Sequence, residues 1–157
     1  MAYKRKTWQE KLEDSKDLPR VCDATKSKRG GTGTFVIPAP LEVDALMKKV
    51  RRGKLTTIGE LQKTLAKTHN TTTACPITTG IFAWVAAHAA DEAEQGGRSR
   101  ITPYWRTLKT GGELNPKYPG GIKNVRARLA AEGHRVVKKG KRYFVADFEK
   151  SIARSLK

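Results

Sequence analysis

The stretch Ile101–Leu129, ITPYWRTLKTGGELNPKYPGGIKNVRARL, decides how the chain is read. It packs a Pro-Tyr-Trp-Arg run, two Gly-Gly pairs and a second tyrosine into a loop, then switches to a charged, helix-favouring pattern. Glycine weakens a segment unless the backbone needs an unusual conformation or something must approach it closely. Gly120 and Gly121 therefore serve either a turn or the approach of a ligand to the backbone.

Working outward, Ile122 to Glu132 predicts a helix with Val125 and Leu129 inward and Gly133 as its stop. HRVVKKGKRYFVADF then predicts two short strands around Lys-Lys-Gly-Lys, a hairpin, and a terminal helix from about Ala146. Upstream, Pro40 to Arg51 places Leu41, Ala45, Leu46 and Val50 at helical spacing. TTIGELQKTLAK predicts a second helix, with Thr56 or Thr57 as N-cap, Glu60 near the capping-box position and Ile58, Leu61 and Leu65 inward. After the polar loop THNTTTA, Pro76 opens a third helix running to Gly96, with Ile77, Ile81, Trp84, Val85 and His88 on its inner face. DATKSKRGGTGT reads as a flexible basic loop, and FVIPAP as a short strand stopped by Pro38, available to pair with the later hairpin.

The 157 residues carry 32 Lys and Arg against 15 Asp and Glu, a formal net charge of +17, which calls for a polyanionic partner. Residues 134–157 hold 8 basic and 2 acidic groups and residues 1–54 hold 14 and 7, so the flanks are the most basic parts. No apolar run approaches the roughly 20 residues of a transmembrane helix, and the amino terminus lacks the apolar core of a secretory signal. The expectation is a cytoplasmic protein with no membrane partner and with nucleic acid as ligand. Cys22 and Cys75 are too few for a disulfide framework and are expected as free thiols. His69, His88 and His134 lack partners at ligand spacing, so neither a metal nor a cofactor is expected.

GKLTTIGEL followed by PYWRTLKTGGELNPKYPGGIKNVRARLAAEG resembles the DNA-binding, active-site domain of the alkylguanine-DNA alkyltransferases. The match covers about residues 41–133, with Pro103, Arg106, Gly112, Leu114, Tyr118, Gly120, Gly121, Leu129, Glu132 and Gly133 falling in order. In that family a Pro-Cys-His-Arg motif follows the recognition helix of a helix-turn-helix. Tyr104 stands here where the family has its alkyl-accepting cysteine, and Trp105 where it has the activating histidine. Alkyl transfer needs a thiolate beside a base, which a phenol with pKa near 10 and an indole do not supply. The resemblance is therefore to the alkyltransferase-like proteins, which lack the cysteine, bind alkylated guanine in DNA, extrude it and hand the lesion to excision repair. Two further departures stand out. Ile58 occupies the place of the helix-start tyrosine, and Thr79 roughly that of the arginine that intercalates.

The elements and the resemblance together lead to an expected α+β fold: a winged helix-turn-helix core of alkyltransferase type at 41–133, and, outside the resemblance, a basic N-terminal extension with a short strand at 1–40 and a hairpin plus helix at 134–157. It implies a non-enzymatic protein that binds double-stranded DNA, senses alkylated or damaged bases and has repair-protein partners. The other reading is a general winged-helix binder of DNA or RNA, a regulator or RNA-associated factor, without a base pocket. Candidates for a base pocket are Pro103, Tyr104, Trp105, Arg106, Tyr118, Gly120 and Gly121; the aromatics either stack on an extruded base or fill the core. Candidates for nucleic-acid contact are Thr57, Ile58, Thr73, Thr78 and Thr79 around the helix starts, and Lys138, Lys139, Lys141 and Arg142 on the hairpin. Cys75, before Pro76 at a helix start, is either a reactive thiol or a passive one.

Overall fold

The computed structural model describes residues 5–26, 32–153 and 156. Among them are five α-helices and small sheets, a mixed α and β architecture. Helix α1 (Trp8–Glu13) is capped by Thr7, whose side chain accepts from the Glu10 amide. Strands β1 (Arg20–Asp23) and β2 (Thr34–Ile37) are antiparallel, and β2 continues in parallel register with β4 (Thr73–Ala74) through Phe35↔Thr73 and Val36↔Ala74. Thus TFVI is a strand, but its partners are β1 and β4, not the later hairpin. The segment THNTTTA contributes β4 where a plain loop was expected. Part of the expected basic loop, residues 27–31, lies outside the described residues.

Helix α2 (Pro40–Lys48) buries Val43, Leu46 and Met47, while Leu41 is 45% exposed. The expected inward stripe through Leu41 and Ala45 is rotated, because Asp44 turns into the protein, accepting the Thr102 hydroxyl at 2.6 Å and pairing with Lys48. Helix α3 (Ile58–Thr68) begins as the sequence predicts: after β3 (Thr56–Thr57), the Thr57 hydroxyl accepts from the Glu60 amide at 3.2 Å, and Leu61 and Leu65 are buried. Helix α4 (Pro76–Gln95) has Pro76 in its first turn, buries Val85 and packs Trp84 against the core as expected, but its buried face is otherwise not the expected one. Its buried residues are mostly Ala83, Ala86, Ala87, Ala89 and Ala90, which let α1 and α2 approach closely, whereas Ile77 and Ile81 point outward.

A single 3₁₀ turn, Tyr104–Arg106, leads into β5 (Thr107–Leu108), which runs parallel to β3. The loop that follows returns through Gly112, where φ is +87° and a Cβ would lie 2.4 Å from the Phe148 ring. Gly120 and Gly121, with φ of +76° and +67°, turn the chain into α5 (Gly121–Ala131), and Val125 and Leu129 of that helix are buried. The hairpin of β6 (Val136–Lys139) and β7 (Arg142–Val145) forms around Gly140. Its β7 edge is tied to the preceding loop by Leu114 N–H donating to the Tyr143 carbonyl at 2.8 Å and Val145 N–H to the Gly112 carbonyl at 3.0 Å.

The expected terminal helix is replaced by a 3₁₀ turn, Phe148–Ser151. Asp147 adopts φ of +53°, Phe148 lies against Gly112, and Leu55 exchanges backbone bonds with Ser151 and Ala153. That strand-like pairing removes the backbone groups a helix would need.

Candidate nucleic-acid interface

The first turn of α4 carries no side-chain cap from Cys75, which leaves its leading amides without that acceptor. Beside it, Ile77 and Ile81 are 51% and 47% exposed, one turn apart on the same face. With Ile58, Gly80 and Trp84 they form one wall of a groove of about 730 Å³; the other wall is the loop from Lys109 to Lys117. Trp84 donates its indole N–H to the Lys117 carbonyl at 3.1 Å, and His88 Nε2 meets the same oxygen at 3.2 Å. Helix and loop are thereby held together at the base of the groove. The result is a mostly apolar cleft framed by two lysines, of a size that admits a flat heterocycle.

Tyr104, Trp105 and Tyr118 sit behind this loop rather than in the cleft. Tyr104 is fully buried and its ring meets those of Trp105 and Tyr118 edge-on, at 5.2 and 5.8 Å. Asn124 donates to the Tyr104 hydroxyl at 2.9 Å and to the Pro119 carbonyl at 2.8 Å, while the Arg128 guanidinium lies 4.6 Å over the Trp105 ring. Burial pushes both phenols up in pKa, for Tyr104 against the opposing Arg128 charge, so each stays neutral near pH 7.

Glu132 gathers the other side of this cluster. It accepts the Trp105 indole N–H at 2.8 Å, three Arg106 bonds at 2.8, 2.9 and 3.1 Å and the Gly53 amide at 3.3 Å, and Arg106 also donates to the Val50 carbonyl at 2.7 Å. Burial alone would push the Glu132 carboxyl up; the hydrogen bonds from Arg106, Trp105 and Gly53 with the Arg106 charge outweigh it and hold it below its ordinary value. Arg106 thus orders the loop through carboxylate and carbonyl contacts.

The remaining candidates are spread over the molecule. Thr57 is buried with its hydroxyl engaged at the α3 N-cap, and Thr79 is fully buried with its hydroxyl donating to the Cys75 carbonyl at 2.7 Å. Neither presents a free hydroxyl outward. The Thr78 hydroxyl is shielded and without a partner, and Thr73 is exposed on β4. Ile58 lines the groove. Pro103 is buried, and Lys138, Lys139, Lys141 and Arg142 are exposed on the hairpin.

Sequence reasoning missed Ile77 and Ile81 as surface groups, together with Lys109, Asn115, Pro116 and Lys117 as the facing wall. The alanines of α4 were the available signal, since a helix with two apolar faces of unequal bulk can bury the smaller one. Among the described residues no three His, Cys, Asp or Glu side chains gather where they could hold a metal ion. Nor is any described helix long and apolar enough to cross a membrane.

Compared with solved structures, the chain is similar in fold to S. pombe Atl1, crystallised in complex with damaged DNA containing O6-carboxymethylguanine. The TM-score is 0.53 at 14% identity, over 74% of this chain and 94% of that one. No protein-family model and no curated protein sequence matches the chain.

Proposed function

We propose that this chain is a non-enzymatic, double-stranded-DNA-binding protein of alkyltransferase-like build, which receives an extruded alkylated base in the groove between α4 and the 109–117 loop. In this reading α3 and α4 are the two helices of a helix-turn-helix, and the β6–β7 hairpin takes the wing position without contributing a duplex contact. The observation that carries it is the groove itself: an open cleft of about 730 Å³ with apolar walls, bordered by Lys109 and Lys117, on a fold like that of a protein crystallised on damaged DNA. Lysines at the rim neutralise phosphates, and the apolar walls accept a base face.

Ile77 and Ile81 replace a polar finger in this scheme. Apolar side chains wedged between base steps hold a kinked duplex open at a cost of a few kcal/mol of unstacking, offset by the protein surface the bend brings into contact. Pro103, Tyr104, Trp105, Arg106 and Tyr118 support the loop from behind, and Gly120 and Gly121 set the turn that begins α5. With no thiolate at the Tyr104 position and both phenols neutral, the site binds without transferring the alkyl group.

The test is competitive fluorescence anisotropy at near-physiological salt, with matched duplexes carrying guanine or an O6-alkylguanine at one position. The modified duplex is expected to bind more tightly. Ile81→Ser is expected to weaken it about tenfold, equivalent to about 1.4 kcal/mol, without lowering thermal stability, since the side chain is 47% exposed. Equal affinity for the two duplexes, with Ile81→Ser silent, would remove the base-receiving reading.

The full burial of Tyr104 favours a second reading, a general binder of DNA or RNA with no lesion preference. Its signature is equal binding of both duplexes with a steep salt dependence, because phosphate neutralisation alone then supplies the affinity.

A further inference from the structure

A second groove, of about 460 Å³, lies between α5 and the β6–β7 hairpin and shares no lining residue with the α4 groove. Lys123, Arg126, Ala127 and Ala130 line it from α5; spaced at three, four and seven residues, they occupy one face of that helix. Ala127 and Ala130 are too short to fill the space, and Ile122 and Tyr143 complete an apolar lining. The Lys138 ammonium lies 5.7 Å from the Tyr143 ring centroid, which adds a cation from the hairpin side.

The segment that builds the groove is almost one-signed in sequence. Residues 117–145 contain nine Lys and Arg and a single acid, Glu132. That acid is committed to Arg106, and Arg128 is committed to Glu94. Lys123 and Arg126 are exposed and form no ion pair with another described residue. A cleft with an apolar, aromatic lining and unneutralised cations at its edge fits a ligand that is polyanionic along one side and flat and apolar along the other. Duplex DNA hides its base faces in the stack; an unpaired strand exposes them.

We propose that the groove between α5 and the hairpin binds a single-stranded nucleic-acid segment, with bases against Tyr143 and the alanine face and phosphates at Lys123, Arg126 and Lys138, independently of the α4 duplex site. The 157-residue chain would be titrated into fluorescein-labelled oligothymidylate and oligouridylate of about 15 nucleotides, the length scale of single-strand sites. Lys123→Glu/Arg126→Glu is expected to weaken strand binding by about tenfold or more; losing both phosphate contacts should also reduce the salt slope by about 1.4, at about 0.7 per phosphate contact. Duplex affinity should stay within about twofold. Tyr143→Leu, which keeps apolar bulk under the hairpin but removes the ring, is expected to weaken the strand by about threefold or more and to spare the duplex.

A loss in either oligonucleotide supports the proposal, and the arm that shows it identifies a deoxyribose or a ribose strand. Strand affinity unchanged by the double charge reversal overturns it. So do parallel losses for strand and duplex, or displacement of the strand by unlabelled duplex. Because Ile81→Ser probes the other groove, failure here and failure of the duplex reading give different patterns.

Discussion

Tyr104→Ala is expected to lower the free energy of unfolding by about 3–5 kcal/mol, the range for truncating a large buried aromatic. The ring is fully buried between Trp105 and Tyr118, so deletion leaves a void lined by two aromatic edges and the Arg128 guanidinium. Against a domain stability of about 5–15 kcal/mol, that loss is severe. Tyr104→Phe should cost only about 1 kcal/mol: it removes one hydrogen bond, and the Asn124 amide retains the Pro119 carbonyl. Urea denaturation of the three proteins reads both effects. A base-stacking Tyr104 would behave differently, since its Ala variant would stay folded and fail selectively on the alkylated duplex. A destabilisation under about 1 kcal/mol in Tyr104→Ala would therefore sink its assignment to the core.

What could be read from the sequence was what local chemistry determines. Thr57 with Glu60, Pro76, Gly133 and the Lys-Gly hairpin each act within a turn or two of chain, and each marks an element boundary in the structure. Choices made by distant partners were not legible. Hydrophobicity ranks Ile77 and Ile81 above alanine, yet α4 buries its alanines because α1 and α2 lie close against that face. Asp44 sits on the buried side of α2 because Thr102, 58 residues away, supplies its hydrogen bond.

The N-terminal segment shows the same limit. Helix α1 is only six residues long, and its Trp8 finds an edge-on Trp84 at 4.9 Å and a stacked His88 at 4.4 Å, neither visible from its own neighbourhood. The site suffered most from this. Its candidate tyrosines and tryptophan were legible as a cluster. The open cleft, however, lies on the other side of the loop, where two isoleucines assumed to face inward are exposed.

Glu132→Gln is the second large effect, expected at about 3 kcal/mol near neutral pH. Glu132 and Arg106 side chains are 5% and 14% exposed, and removing one charge of a buried pair strands the other in a poorly solvated place. Gln can still accept one of the bonds now donated by Trp105, Arg106 and Gly53, which puts the expected loss at the lower end of the usual range. The pH dependence identifies the cause. Because the folded-state pKa of Glu132 lies below its ordinary 4.5, its stabilisation is complete above that value and is lost as pH falls through the folded pKa. Wild type and Glu132→Gln should therefore converge in stability at low pH, where the glutamate is protonated and resembles the amide. His134 acts in a separate window: burial lowers its pKa from 6.5, so stability falls as pH drops from about 6.5 toward the folded value, in both proteins. The Glu132 charge pulls His134 back upward, so its removal should extend that second decline to lower pH. Urea midpoints measured across the acid range separate the two groups. A gap between wild type and variant that stays constant with pH would mean that shape, and not the Glu132 charge, holds the loop in place.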